Sequence, residues 1–179
     1  MKNSLILLCA FVLLACDSGK NKEQDQKMMA VQDESTVRSL VINLHSDLKK
    51  LYGGRVGDVD SVMAAYYVSD MYYVTPWGTS ETLDSTKARL KASIPRISDY
   101  DNSIENLSVK VYGDGAYAFY VLRQEYSIGD FKLDEYLPTT AILERVDGMW
   151  KIVHLQRSTD PQTLQQYMSM QRLQGAPNQ

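Results

Sequence analysis

The chain of 179 residues is poor in the side chains that build metal centres and disulfide scaffolds. It contains two cysteines and two histidines, too few for a disulfide framework or for a zinc site of the usual kind. Positive charge is not in excess either, because the formal net charge is −3, and no nucleic-acid partner is predicted. The sequence also lacks a phosphate-binding glycine loop, a nucleophile motif and metal-ligand spacing, so no cofactor is predicted.

The overall composition is that of an ordinary globular domain. Hydrophobic residues make up 44% of the chain and charged residues 23%, which excludes a wholly disordered chain and a multi-span membrane protein. The length suits one domain with its own core rather than two. Tyrosine is the exception, with 12 residues against three phenylalanines and two tryptophans.

The first fifteen residues have the features of a secretory signal peptide. Lys2 supplies a positive start, and an unbroken apolar run at residues 5–14 is shorter than the roughly 20 residues of a membrane-spanning helix. The run ends in LLAC at residues 13–16, which resembles a bacterial lipobox. That resemblance implies cleavage before Cys16, its acylation, and anchorage to a lipid bilayer of the bacterial cell envelope, at the inner or the outer membrane. The alternative is ordinary secretion after Ala15.

The remaining chain divides into three segments by composition. Residues 16–32 are predicted to be the acylated cysteine and a flexible tether, because they are polar and lack apolar periodicity until their end. Residues 33–160 are predicted to be the folded domain, and residues 161–179 a C-terminal helix and tail that begins at Pro161.

Three helices and one strand are predicted in the first half of the domain. Asp33 is the expected N-cap of the first helix, and its apolar face recurs at helical spacing in Val37, Leu40, Val41, Leu44, Leu48 and Leu51. His45 lies at the edge of this stripe and is predicted to be a partly exposed surface residue. A second helix follows residues 57–58, a strand covers residues 71–75, and a third helix has Asp84 as its N-cap.

The second half reads as a run of strands. Residues 104–112, 116–127, 131–145 and 150–157 are separated by short glycine- and aspartate-rich connectors, which favour sequential antiparallel hairpins. The fold class predicted is α+β, with a strongly curved antiparallel sheet wrapped around about three N-terminal helices and a pocket between them.

Four segments together resemble one superfamily. Residues 57–60 with 65–70, the strand end at 75–78, and residues 147–154 are similar to the nuclear transport factor 2-like superfamily, the last segment to its SnoaL-like branch. The resemblance covers about residues 33–160. It implies a cone-shaped α+β domain with an apolar pocket, and a homodimer built on the outer face of the sheet. It implies function poorly, because such folds host enzymes and non-catalytic binding proteins alike.

The last strand supplies the main catalytic candidate. Strict alternation puts Trp150, Ile152, His154 and Gln156 on one face, and the resemblance implies that this face looks into the cone. His154 is therefore a candidate acid–base group, with Glu135 as its partner if that side of the neighbouring strand is inward. The alternative is a structural histidine satisfied by a tyrosine or a backbone carbonyl.

The opposite face of the last strand carries Val153 and Leu155 between charged residues, a pattern that suits a dimer interface or a surface covered by the C-terminal helix. On the longer strands, Arg123 and Glu125 share a face and are predicted to belong to an exposed cross-strand charge pattern.

Aromatic side chains are the candidates for ligand contacts, since tyrosine offers a flat apolar wall and one hydroxyl. The candidate ligand-binding residues are Tyr66, Tyr72, Trp77, Tyr120, Trp150 and Gln156. Only one of Tyr72 and Tyr73 can face inward, and the sequence leaves that choice open. The alternative is that these are half-buried sheet residues without a ligand.

Thr75 argues against one familiar chemistry of the superfamily. Steroid-isomerase-like members carry a carboxylate base immediately before the proline that ends the first strand, and Thr75 occupies that position here. No Asp-Arg-Asp set like that of the epoxide-hydrolase branch is evident either.

The favoured hypothesis is a membrane-anchored binding domain for a small apolar or aromatic molecule. The alternatives are an isomerase-, dehydratase- or cyclase-type enzyme using His154, and a purely structural dimer of the envelope.

Overall fold

The structure is a computed structural model that describes residues 17–54 and 57–175, with side chains described for residues 28–54 and 57–169. The compact unit that carries the sheet is Thr36–Gln179, and the described part of a separate unit, Met1–Ser35, is helical. Cys16 and the predicted signal peptide lie outside the described residues. Among the described residues, no helix combines the length and the apolar character needed to cross a membrane.

Four helices and six strands follow one another in the described residues 17–54 and 57–175. They are α1 (Asp17–Tyr52), α2 (Val59–Tyr66), β1 (Tyr67–Val74), β2 (Ser80–Thr82), α3 (Leu83–Ser93), β3 (Ile97–Tyr112), β4 (Gly115–Ile128), β5 (Phe131–Val146), β6 (Met149–Arg157) and α4 (Pro161–Gly175), with a 3₁₀ turn at Ile94–Arg96. The strands form one sheet in the order β2-β1-β6-β5-β4-β3. The predicted α+β class and the antiparallel succession of the last four strands are confirmed.

Helix α1 begins earlier than the sequence predicts. Residues 17–32, expected to be a flexible tether, are helical, and Asp33 lies inside the helix rather than at its N-cap. The segment contains three lysines, three glutamines and two methionines and lacks proline, so a helix nucleated further along extends through it at little cost. The predicted apolar stripe is confirmed, because Val37, Val41 and Leu44 are fully buried.

The shorter helices begin at side-chain caps. Asp58 accepts a hydrogen bond from the backbone N–H of Ser61 at 2.8 Å and starts α2, as the sequence predicts. Helix α3 starts two residues earlier than predicted, since its N-cap is Thr82 rather than Asp84, and the Thr82 hydroxyl accepts from the backbone N–H of Ser85 at 3.3 Å. The hydroxyl and the carboxylate are both competent caps, so propensity alone does not separate them.

Bulges bend the long strand β3. The register between β3 and β4 shifts twice, and Asp99 and Asn106 sit at these shifts with positive φ angles of 53° and 55°. Each extra residue kinks the strand and increases its twist. The curvature that lets the sheet wrap around helices therefore has identifiable positions.

A further irregularity in β6 changes which side chains face inward. Leu143 pairs with Ile152 but Ile142 pairs with His154, so Val153 is an extra residue in β6. Before this bulge Ile152 points to the core, and after it Leu155 does. The predicted alternation fails at this point, and the expected inward placement of His154 and Gln156 is wrong.

Helix α4 lies along the edge of β5, beyond the end of β6. The Thr163 hydroxyl accepts from the backbone N–H of Tyr136 at 3.2 Å, and the Gln166 amide oxygen accepts from that of Asp134 at 3.3 Å. Two strand N–H groups that have no ladder partner are satisfied in this way. The helix therefore extends the edge of the sheet and does not cover the face that carries Val153.

Candidate functional site

A cavity of about 80 Å³ lies between the inner face of the sheet and the helices. Its walls are Leu48, Tyr52, Met63, Tyr67, Met71, Tyr73, Thr86, Arg89, Leu90, Tyr100, Leu122, Gln124, Leu155 and Arg157. Four tyrosines and two arginines thus meet in a space whose remaining walls are mostly aliphatic. Of these lining residues, none is an aspartate, a glutamate or a histidine.

Most of the aromatic residues predicted from the sequence lie elsewhere. Tyr73 points inward and is buried, so Tyr72 points outward and is 48% exposed. The Tyr66 hydroxyl donates to the Asp47 carboxylate at 2.5 Å, outside the cavity wall. Trp77 is 45% exposed and meets Tyr167 edge-on, with ring centroids 4.4 Å apart.

The remaining candidates divide between the core and the outer surface. Trp150 is buried in the core but is absent from the cavity wall. Gln156 is exposed on the outer face of β6. His154 is half-buried on that face and stacks on Tyr72, with ring centroids 6.2 Å apart. Tyr120 is fully buried one layer behind the cavity wall.

Arg157 reaches the cavity because the bulge in β6 turns it inward. Its Nε is enclosed and has no hydrogen-bond partner. Its guanidinium carbon lies 5.7 Å from the centroid of the Tyr73 ring, within cation–π range. Burial lowers the pKa of Arg157, but the surrounding hydroxyls of Tyr73, Tyr120, Tyr67 and Tyr100 raise it above its usual value. The guanidinium is therefore a permanent cation.

Arg89 approaches Tyr73 at the same distance of 5.7 Å. Its Nε donates to both carboxylate oxygens of Glu81, at 2.8 and 3.1 Å. The Thr86 hydroxyl donates to the same carboxylate at 3.0 Å. The charge of Arg89 is thus balanced by Glu81 on β2, and this ion pair joins α3 to β2 beside the cavity.

His45 and Tyr120 form a buried pair behind Arg157. The Nε2 atom of His45 lies 2.9 Å from the Tyr120 hydroxyl, and its Nδ1 is buried without a partner. Burial, followed by the positive charge of Arg157, lowers the pKa of His45 to about 3. Burial raises the pKa of Tyr120 to about 12 although Arg157 opposes the shift. The prediction that His45 is a surface residue is wrong.

Glu135 belongs to a second polar cluster rather than to a pair with His154. The Tyr126 hydroxyl donates to it at 2.7 Å, and the Gln124 amide donates to its other oxygen. Tyr126 also hydrogen-bonds the hydroxyl of Tyr167 on α4. Burial, with the Glu135 charge next in importance, raises the pKa of Tyr126 above its usual range. The inward face predicted for Glu135 is present, but its neighbours are hydroxyl and amide groups.

The arrangement suits binding more than acid–base chemistry. Among the described residues, no group of three or more histidine, cysteine, aspartate or glutamate side chains could hold a metal ion. The cavity offers flat aromatic walls, several hydroxyls and one cation without an ion-pair partner among the described residues. Flat apolar walls with a few polar groups are typical of pockets that orient a small ligand.

The cavity residues that sequence reasoning missed share one cause. Strict alternation along β6 predicts Leu155 on the outer face, but the extra residue Val153 turns both Leu155 and Arg157 inward. Tyr52 is the last residue of α1, and Tyr100 lies in β3 ahead of the strand predicted at residues 104–112; their rings stack with centroids 4.2 Å apart. The one available signal was the excess of tyrosine, which does not identify positions.

Comparisons with known proteins support the fold. No protein-family model matches the sequence, and no curated protein matches it either. Among solved structures, a nuclear transport factor 2-like protein of unknown function from Pseudomonas aeruginosa is 22% identical, with a TM-score of 0.59 over 70% of this chain and 98% of that one.

Two further structures from Novosphingobium aromaticivorans are similar. A proposed aromatic ring hydroxylase is 15% identical, with a TM-score of 0.63 over 72% of this chain and 90% of that one. A proposed scytalone dehydratase is 16% identical, with a TM-score of 0.59 over 73% and 85%. The fold of the domain is therefore nuclear transport factor 2-like, and at these identities the likeness concerns the fold alone.

Proposed function

We propose that the chain is a membrane-anchored binding domain of the bacterial cell envelope that holds a small molecule with an apolar or aromatic body in its cavity. The observation that supports this function is the cavity wall itself, in which Tyr67 and Tyr73 face aliphatic side chains and no acid–base pair is among the lining residues. Walls of this kind are typical of pockets that hold and orient a small ligand.

The alternative enzyme function depended on His154 as acid–base group. His154 lies on the outer face beside Tyr72, and Glu135 is bonded to Gln124 and Tyr126. Neither residue lines the cavity. The similar structures proposed to be a hydroxylase and a dehydratase share the fold, and this likeness is their only support for an enzyme function.

Thermal-shift screening with small neutral apolar and aromatic molecules tests the binding function. We expect a ligand from this panel to raise the melting temperature, because it stabilises the folded state alone. Leu155→Phe fills the cavity from β6 and should abolish the shift, whereas His154→Gln, one residue away on the outer face, should retain it. A shift lost with His154→Gln but retained with Leu155→Phe would contradict the proposal and favour the enzyme alternative.

The membrane anchor is proposed from the sequence alone. Cys16 follows the apolar run at the position that a lipobox requires, and it lies outside the described residues. We expect Cys16→Ala to release the protein from the membrane fraction of a bacterial host. Continued membrane association of this variant would contradict acylation at Cys16, and the matched change Cys9→Ala inside the apolar run should leave anchorage intact.

A homodimer through the outer face of the sheet is part of the same proposal. Large apolar side chains are exposed there on three strands: Tyr72 on β1, Phe119 on β4, and Tyr136, Ile142 and Val146 on β5. An apolar centre of this kind with a charged rim is typical of subunit interfaces. The pattern predicted around Val153 and Leu155 does not supply the interface, since Leu155 is buried inside.

A further inference from the structure

Arg157 introduces a charge into the cavity that a purely apolar ligand would leave unbalanced. Among the described residues it makes no ion pair, and its Nε has no hydrogen-bond partner. Arg89, the other arginine of the wall, is paired with Glu81 at 2.8 Å. The net charge of the cavity wall is therefore the charge of Arg157.

The surroundings of Arg157 do not compensate this charge. The groups that act on it most strongly are the hydroxyls of Tyr73, Tyr120, Tyr67 and Tyr100, which are neutral at physiological pH. The buried carboxylate Glu135 is already held by Gln124 and Tyr126. Arg157 is hydrogen-bonded to the Tyr120 hydroxyl but has no counter-ion among the described residues, and enclosing a cation without a counter-ion costs stability, so Arg157 is a candidate for ligand recognition.

The guanidinium also has the geometry for one kind of partner. Arginine presents parallel N–H donors that match a carboxylate in a bidentate pair, and such bonds are stronger than those between neutral groups. Tyr67 and Tyr73 line the same cavity, and their hydroxyls are further donors for a carboxylate, whereas the Tyr100 hydroxyl already donates to Gln124 at 3.0 Å. The aliphatic wall opposite, with Leu48, is suited to the apolar remainder of a ligand.

The size of the space restricts the ligand further. A cavity of about 150 Å³ holds benzene, and the space here is about 80 Å³. The space as it stands approaches the size of a carboxylate with two or three carbons, whereas butyrate, which has as many non-hydrogen atoms as benzene, and any aromatic ring require the wall to move.

We infer that the cavity binds a small monocarboxylate, with the carboxylate paired to Arg157 and a short apolar chain against the aliphatic wall. This inference rests on the proposed binding function and narrows the class of ligand from small apolar molecules to small anions with a single negative charge.

Calorimetric titration of the full chain with matched acids and amides tests the inference. Butyrate and butyramide have the same shape but differ in charge, and benzoate and benzamide add a ring. We expect butyrate to bind at least tenfold more tightly than butyramide. Equal binding of acid and amide would overturn the anion inference while leaving the proposed binding function intact. Failure of all four ligands, together with no shift in the thermal screen, would overturn both.

Variants of the two arginine positions separate recognition from structure. Arg157→Met keeps the length of the side chain and removes the charge, so butyrate binding should be lost while the melting temperature stays at least as high as that of the parent chain. Arg157→Lys keeps the charge without the fork and should weaken binding severalfold. Arg123→Gln, at an exposed arginine paired with Asp134 on the outer face, is the control and should bind butyrate normally. Unchanged butyrate binding by Arg157→Met would overturn the inference without any need for the lysine variant.

Discussion

The two faces of the same sheet handle charge in opposite ways. On the outer face Arg123 pairs with Asp134 and Lys132 pairs with Glu125, each across neighbouring strands at 3.0 Å. On the inner side the charge of Arg157 has no counter-ion among the described residues, and His45 behind it is held neutral. Exposed ion pairs contribute little to the free energy of unfolding. An enclosed charge without a counter-ion lowers that free energy and favours an oppositely charged ligand over a neutral one. In the proposed binding function, the inner face is the one that selects the ligand.

The largest difference between the faces is expected from two adjacent residues of β5. Leu143 is fully buried on the inner face, and Ile142 is 43% exposed on the outer face. Leu143→Ala should lower the free energy of unfolding by about 2–5 kcal/mol because it leaves a cavity, and Ile142→Ala should lower it by about 0.5 kcal/mol. Urea unfolding measures both values.

The same pair of variants also tests the proposed dimer. If the outer face is covered by a second copy, the effect of Ile142→Ala should grow with protein concentration and sedimentation should show fewer dimers. Equal destabilisation by both variants at every concentration would contradict the distinction between the faces.

A change of pH should have a smaller effect on the free energy of unfolding, of about 2 kcal/mol. The pKa of His45 is about 3 in the folded protein, below the value of about 6.5 for a histidine in the unfolded chain. As the pH falls below 6.5, His45 is therefore protonated in the unfolded chain but stays neutral in the folded protein. Stability is therefore complete above pH 6.5 and is lost as the pH falls. Between pH 7.5 and 5 the free energy of unfolding should decrease by about 2 kcal/mol from this residue.

Two histidine variants isolate this contribution, since the chain has only two histidines. His45→Gln cannot titrate in this range, so its stability should change less between pH 7.5 and 5 than that of the parent chain. His154→Gln, on the outer face, should keep the full dependence. Urea unfolding at the two pH values measures it, and an unchanged slope in His45→Gln would contradict the assignment.

The fold was largely predictable from the sequence because its determinants are local. The glycine- and aspartate-rich connectors place three turns between β3 and β6, and the apolar stripe from Val37 to Leu51 identifies the packed face of α1. The extra helical length before Asp33 was missed because apolar periodicity is absent from a polar segment whose helix propensity is nevertheless good.

The site was not predictable to the same degree, because it depends on a register shift. One extra residue at Val153 exchanges the two faces for the rest of β6, which takes His154 out of the cavity wall and brings Arg157 into it. No glycine or proline marks this bulge in the sequence. The burial of His45 likewise depends on Tyr120, which is 75 residues away along the chain and pairs with it only in the fold.

The smallest effect should come from the charges of the outer face. Arg123 and Asp134 are both 44% exposed, and a double-mutant cycle with Arg123→Gln and Asp134→Asn should give a coupling energy of about 0.2–1 kcal/mol. The coupling should shrink further in 1 M salt, because the Debye length falls to about 3 Å. A coupling that persists in high salt and exceeds about 2 kcal/mol would mean that the pair is shielded from water, as it would be in a subunit interface. The two residues occupy neighbouring strands beside the exposed Tyr136. Such a result would therefore favour the outer face as a surface that recognises a second subunit.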